Sequence, residues 1–541
     1  MRRRSEEYDL FMDFIKLFIA KELKPLVRGF AFVISLTATF PVHANSINNR
    51  ICPAQLQQEI SKIAQSPKLQ AARVGVFVQT NEPKPQVLVN LDGDRYFVPA
   101  SNVKLFTTAT ALKNLGANYR FQTQLLAERP NALEGISEKN QGRTKGEINN
   151  GLWLFGAGDP SFNSTTVLKS LVTQLKNQGV KRINGGIGAT AIRKGVGIVG
   201  SWEWSDLQEY YAAIVSPFTI NENSLNWTIR PNKVGEPAIF EWETPTLARD
   251  WQVVNNSITI ADGADLHNLL DKSLKLERPY GEKILIISGQ ISEKAVPKDG
   301  GVAVPEPEAN FLDLLQRELN NQGIEVSPFA TAPKKSENLI QIAKVDSPPI
   351  SELVTTTNID SNNLYSELLL RALGQKFYAN LLSKSLGINF HQFVALNDES
   401  GGLLAINEFL KSVNIAPDDL LLADGSGLSR HNLTKPRAIA QFLQAVDRDR
   451  DIAPYFRKSL PNADIDGSLK NRFKNTDTQG LIQAKTGTLT GVITLSGYAR
   501  PKNYREVIFS IMINNSNLSN RETQQYVDAI ALTLTSLEGC Q

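Results

Sequence analysis

The sequence predicts an α/β (α+β) protein in which a sheet flanked by helices is assembled from both ends of the chain, with a large, mostly β segment looped out of the middle. Three observations carry this expectation. Alternating apolar stretches at 72–79 and 86–90 near the start have the period-two mark of paired strands, and strands are read again at 492–499 and 506–513 near the end. Helical apolar spacing is concentrated in the same two end regions. Between about Tyr119 and Leu339 the texture changes to short alternating segments broken by Gly, Pro and Asn.

Taken in order, residues 51–64 show helical spacing, and the alternating stretches 72–79 and 86–90 then start an antiparallel sheet. Pro99 stands just ahead of a helical pattern over 101–113, so Ser101 lies at a helix N-terminus. In the middle segment 121–127 and 283–288 read as strands, a helix interrupts at 308–322, and polar Lys334–Asn338 resembles a linker. A strand at 339–343 follows, then helical patterns at 350–357, 363–384, 402–412 and 435–447, and a last helix from Arg521 to Leu537. The expected organisation is one discontinuous domain, 45–118 with 339–541, carrying residues 119–338 as an insertion.

A chain of 541 residues is too long for one ordinary core, which agrees with several domains. Lys plus Arg number 58 against 55 Asp plus Glu, a formal charge of +3, so no strong field for nucleic acid exists. In the first 44 residues Arg28 precedes the apolar run Gly29–Phe40 and then Pro41-Val-His-Ala44. That run is shorter than the ~20 residues a membrane helix needs, and it ends near a small residue, so residues 1–44 read as an export signal cleaved after Ala44. Met12 is an alternative start, and an uncleaved N-terminal anchor is the alternative fate. Export implies the periplasm, with membrane attachment at most peripheral or through this segment. It also permits a disulfide between Cys52 and Cys540, two isolated thiols being the other reading.

Beyond the export signal the histidines are His267, His391 and His431, which gives neither a His-Glu-x-x-His zinc site nor a choice of triad bases. A serine nucleophile then needs another base, and neutral lysine serves that purpose elsewhere. Ser101-Asn-Val-Lys104 supplies the pair, since residues three apart on a helix share a face. To work near neutral pH, Lys104 must fall by about 3 units, which burial and a second cation can impose. Ser-x-x-Lys alone is weak evidence. Two further motifs strengthen it: Ser361-Asn-Asn363 opens an apolar-periodic helix, and Lys485-Thr-Gly487-Thr488 lies in a strand whose glycine gives a substrate backbone room to approach.

In this order the three motifs resemble the active site of penicillin-recognising serine enzymes. The flanking sequence is similar to one branch, the D-Ala-D-Ala carboxypeptidases and endopeptidases of peptidase family S13, also called class C low-molecular-mass penicillin-binding proteins. The likeness rests on Pro99–Lys104, Gly158-Asp-Pro160, Trp202–Asp206, Ala212–Ser216 with Asn221-Glu-Asn223, Ser347-Pro-Pro349, Asp424–Ser429 and Lys485–Thr490. It implies a β-lactamase/transpeptidase-like domain whose insertion is two domains, one nested in the other near 205–290. It implies that Ser101 attacks the penultimate D-Ala carbonyl, Lys104 takes its proton, and the backbone N–H groups of Ser101 and Thr488 form the oxyanion hole. Ser361 would relay a proton to the leaving amine, Asn363 would bond the substrate amide, and Lys485, Thr486 and Thr488 would hold the terminal carboxylate. Lys485 is also the second cation. The partners implied are peptidoglycan peptides and β-lactams, with no metal or organic cofactor.

One departure stands out. Many members of the family carry an Asp in a strand of the insertion that helps bind the free amine of the diamino-acid side chain, and Thr190 occupies the matching position, which implies a weaker preference for that side chain. Other motifs are read structurally. Gly195–Gly200 fits a dinucleotide fingerprint but does not lead into a helix, so it reads as a turn. Trp202 and Trp204 are assigned to a small core rather than to sugar binding. Gly-Asp159-Pro is a turn, and Asp424–Ser429 is a loop lining the cleft. Two other functions fit less well: a β-lactamase-like hydrolase, disfavoured by the large insertion, and a non-catalytic envelope scaffold, disfavoured by the intact motifs.

Overall fold

The computed structural model describes residues 50–128, 146–192, 197–264, 273–327, 338–384 and 397–540. Residues 1–44, read above as an export signal, His267, His391 and most of the linker-like stretch 334–338 lie outside the described residues. Both chain ends contribute to one antiparallel sheet, in the order Val87–Leu91, Arg73–Thr80, Val507–Asn514, Val492–Ala499, Ile482–Leu489. Its inner strands Val492–Ala499 and Val507–Asn514 are buried at every position. The cause is coverage of both faces. Ile508 and Met512 point into a core shared with Phe106, Leu369 and Phe442, while Phe509, Ile511 and Ile513 point into another with Leu56, Ile60, Val527 and Ile530. Helices Val103–Leu115, Asn363–Lys384 and Pro436–Arg448 supply the first core, and Pro53–Ala64 with Asn520–Thr535 supply the second.

Cys52 and Cys540 form a disulfide that spans 488 residues of sequence, which resolves the two readings of this pair. Ile51 and Leu537 bridge beside it, so the helices next to the two ends pack on the same face of the sheet.

The middle of the chain builds separate sheets. The first has the order Leu339–Asp346, Gln122–Glu128, Leu152–Phe155, Ile187–Thr190, and is covered by helices Val167–Asn177 and Pro307–Asn321. Leu339–Asp346 lies past the boundary expected at 338, yet it pairs along its length with Gln122–Glu128 and so belongs to the sheet of the looped-out segment. The helix Val167–Asn177 was not expected in a mostly β segment. It forms because Leu168, Leu171, Val172 and Leu175 make a buried stripe at helical spacing. Inside this body sits another with its own core of Leu225, Ile229, Leu285, Ile287 and Val302. Its strands run from Ser224 to Ala303, somewhat later than the expected 205–290. No helix among the described residues is long and apolar enough to cross a membrane.

Candidate active site

Ser101 lies in a 3-10 turn, Ala100–Asn102, that leads directly into the helix Val103–Leu115. Ala100, fully buried, is held at φ 49°, a left-handed backbone that a residue with a Cβ adopts only under constraint. Two glycines supply the constraint. A Cβ on Gly427, itself at φ 85°, would stand 1.9 Å from the Ala100 carbonyl oxygen, and one on Gly487 would stand 2.9 Å from the Pro99 oxygen. The bare face of Gly487 is therefore filled by the turn before Ser101 and by Thr494. Close packing of the nucleophile turn is thus a reason for glycine here that the sequence reading did not include.

One helical turn along, Lys104 is fully buried. Its Nζ lies 3.0 Å from Ser101 Oγ, 2.6 Å from Asn363 Oδ1 and 2.7 Å from the Ser426 carbonyl oxygen. Burial brings the ammonium down to about 7, against a pull in the opposite direction from Asp424 and Glu367. A neutral amine has two N–H bonds and one lone pair. Donating the two to Asn363 and Ser426 leaves the lone pair directed at the Ser101 hydroxyl, which is the arrangement of a general base.

Ser361 sits at the corner between helices Ile350–Ile359 and Asn363–Lys384, at φ 58°. The corner projects its hydroxyl to Lys485, whose Nζ donates to Ser361 Oγ at 2.7 Å and to the Thr486 carbonyl at 3.0 Å. Burial, and then the neighbouring Lys104, hold the Lys485 ammonium well below the usual lysine range. Asn363 is bound at both ends of its amide, accepting from Lys104 and donating from Nδ2 to the Tyr211 carbonyl at 2.8 Å. Asn362, between the two motif residues, donates to Glu222 at 2.7 Å. Ser101, Lys104, Ser361, Asn363 and Lys485 thus come together. Thr486 turns its hydroxyl away to Ser468 at 2.8 Å, and Thr488 is exposed on Ile482–Leu489, the edge strand of the sheet.

The Asp424–Ser429 loop does more than line a cleft. The buried Asp424 carboxylate accepts five hydrogen bonds: from Trp202 Nε1 at 2.9 Å, Ser429 N at 2.7 Å, Gly427 N at 2.8 Å, Asn432 Nδ2 at 2.8 Å and Ser426 Oγ at 3.4 Å. The Gly425 carbonyl accepts from Thr107 and Ser366, so the helices of the first two motifs both grip this loop. Glu367, fully buried, accepts from Gly425 N at 2.9 Å, and burial pushes its carboxyl up to about 8. The carbonyls of Ser426 and Tyr211 leave no trace in side-chain identity. Glu367 did leave one: a lone carboxylate inside the apolar run Leu364–Leu370 is rare in a buried helix without a partner.

The remaining motifs fall where the sequence reading put them, with one exception. Asp159 shapes a turn by accepting from Ser161 N and Oγ. The described part of the Gly-rich stretch, Gly197–Gly200, turns without entering a helix. Thr190 is buried at the end of its strand, its carbonyl accepting from Gly156 N at 2.9 Å. Trp202 is buried in a small cluster with Leu364, Leu368 and Leu428, but Trp204 is 67% exposed and belongs to no core.

The chain is 28% identical over 524 residues to a D-alanyl-D-alanine carboxypeptidase of Actinomadura sp. strain R39, covering 94% of this chain and 89% of that protein. It is 28% identical over 460 residues to penicillin-sensitive carboxypeptidase A of Dictyostelium discoideum, covering 81% and 82%. In fold it is similar to penicillin binding protein 4 (dacB) from Haemophilus influenzae, with a TM-score of 0.70 at 23% identity, over 88% of this chain and 98% of that one. Residues 56–537 match the D-Ala-D-Ala carboxypeptidase 3 (S13) family, and the chain belongs to that family.

Proposed function

We propose that the protein is a serine D-Ala-D-Ala carboxypeptidase, with endopeptidase action on cross-linked stem peptides as a second use of the same site, and that β-lactams acylate it. The observation that carries this is the buried Lys104 amine 3.0 Å from Ser101 Oγ, its other two directions taken by Asn363 and Ser426. Lys104 accepts the Ser101 proton as Oγ attacks the penultimate D-Ala carbonyl, with the N–H groups of Ser101 and Thr488 facing the developing oxyanion. As the C–N bond breaks, the proton that Lys104 took passes through the Ser361 hydroxyl, itself hydrogen-bonded to Lys485, to the leaving amine, which leaves Lys104 neutral again. Water then adds to the acyl carbon, giving its proton to Lys104, and that proton returns to Ser101 Oγ as the ester bond breaks. Lys485 and Thr488 attract the terminal carboxylate, while the second N–H of Asn363 serves the substrate amide. Thr486 reaches the carboxylate after giving up its bond to Ser468.

In this reading the chain ends form a discontinuous catalytic domain, the segment from about 119 forms two nested inserted domains, and residues 1–44 direct export to the periplasm. Intact-protein mass after mixing with a penicillin, for native protein and Ser101→Ala, tests the reading. A persistent adduct on native protein alone supports it. An adduct that is lost rapidly with drug turnover indicates a β-lactamase-like hydrolase, and no adduct on folded native protein overturns the acyl-enzyme.

A further inference from the structure

Trp204 is 67% exposed and stacks on Tyr280, itself 44% exposed, with ring centroids 4.3 Å apart and planes 23° from parallel. Tyr210 and Tyr211, 50% and 37% exposed, continue the aromatic surface a few residues along. Large rings left this open, side by side and next to a reactive site, mark a binding surface more than a packing defect.

The surface is fixed at several points. Gln208 and Arg278 exchange two hydrogen bonds, from Gln208 Nε2 to the Arg278 carbonyl at 2.5 Å and from Arg278 Nε to Gln208 Oε1 at 2.6 Å, which holds the two aromatic segments together. Tyr211 donates to Asp206 at 3.0 Å and offers its carbonyl to Asn363. On the other flank Glu203 pairs with Arg430 at 3.0 Å, and Arg430 donates to the Thr490 carbonyl at 2.7 Å, two residues beyond Thr488. The platform is thus continuous with both the Asn363 and the Thr488 sides of the cleft, and it needs no ordering when a ligand arrives.

We infer that the Trp204–Tyr280 platform binds a saccharide ring of the glycan that bears the stem peptide. A pyranose ring presents a flat C–H face suited to an aromatic surface and a rim of neutral hydroxyl and acetamide groups. Asp206 and Glu209, with Glu203 paired to Arg430, border the platform with polar groups that can hydrogen-bond such a rim. The site therefore discriminates sugar-bearing substrate from free peptide.

This inference rests on the peptidase reading, and the test separates the two. Steady-state kinetics are measured with a free stem pentapeptide and with the same peptide carrying its disaccharide, for native protein, Trp204→Ala and Tyr280→Ala. Native protein is expected to favour the disaccharide substrate in kcat/KM by about tenfold, the size of one good aromatic contact. Each variant should lose that preference through KM, while penicillin acylation and turnover of the free peptide stay within about twofold of native. Equal kcat/KM for the two substrates in native protein, or equal loss on both in the variants, overturns the saccharide platform. Failure of native protein to take penicillin or either substrate overturns the peptidase reading instead.

Discussion

Trp202 donates its indole N–H to the Asp424 carboxylate at 2.9 Å, a bond between residues 222 positions apart in sequence. Trp202 comes from the looped-out segment, and Asp424 organises the loop whose Ser426 carbonyl holds Lys104. The segment that carries Trp202 therefore helps to hold the Lys104 amine in place.

Trp202→Phe should keep the ring in its apolar cluster and remove only the N–H. Taking one donor from a buried carboxylate costs about 1 to 3 kcal/mol. We expect a lower Tm and penicillin acylation several-fold slower, measured by adduct formation against time. Native-like acylation would mean that the loop is held without the insertion.

Acylation should rise with pH through about 7 and then level off, because the Lys104 ammonium is held down to about 7 by burial and only the neutral amine is a base. Two pH units below that value, at about pH 5, the rate should be roughly a hundredfold lower. Asp424 pulls the Lys104 pKa upward, so Asp424→Asn should move the midpoint of the profile to lower pH while slowing acylation on the plateau. A midpoint that does not move would show that the carboxylate acts only through loop geometry.

Gly487→Ala tests whether this glycine serves the nucleophile turn or the substrate. The added methyl would lie 2.3 Å from Thr494 Oγ1 and 2.9 Å from the Pro99 carbonyl oxygen. Overpacking of this kind costs about 1 to 3 kcal/mol and here displaces Ala100 and Ser101. Acylation should fall by more than about tenfold for small and large β-lactams alike, because the nucleophile itself is displaced. Loss confined to large substrates would return Gly487 to the substrate-binding role first expected of it.

Much of this architecture was legible in sequence because its causes are local. Period-two runs such as 72–79 and helical stripes such as 436–446 report local structure directly, and Ser101 with Lys104 need only helical spacing to meet. The Ser361 corner was legible too, since a hydroxyl stands just ahead of an apolar helix. Other features depend on long-range geometry. The Ser426 and Tyr211 carbonyls carry no side-chain identity, and the partner of Leu339–Asp346 is set by a strand more than two hundred residues earlier. Trp204 was misjudged because a tryptophan near a Gly-rich turn has the same local sequence whether it packs or stays open.

The disulfide offers the last test. Cys52 and Cys540 join the first and last described helices of the chain across 488 residues, on the sheet face that Leu56, Ile60, Val527 and Ile530 cover. Cross-linking so long a loop removes much of the freedom of the unfolded chain, a stabilisation of about 6 kcal/mol in the entropic model. Lys104 and Lys485 belong to the opposite side of this arrangement only through the sheet itself, so the bond should matter for stability more than for chemistry. Cys540→Ser should lower Tm by about 6 °C, given an unfolding entropy of about 1 kcal/mol/K for a chain this size. Its acylation rate at 25 °C should match that of native protein. An unchanged Tm would mean that the Ile51–Leu537 bridge and the surrounding core hold the ends together without the cross-link. Slower acylation at full stability would mean instead that the termini strain the sheet on which Lys485 is carried.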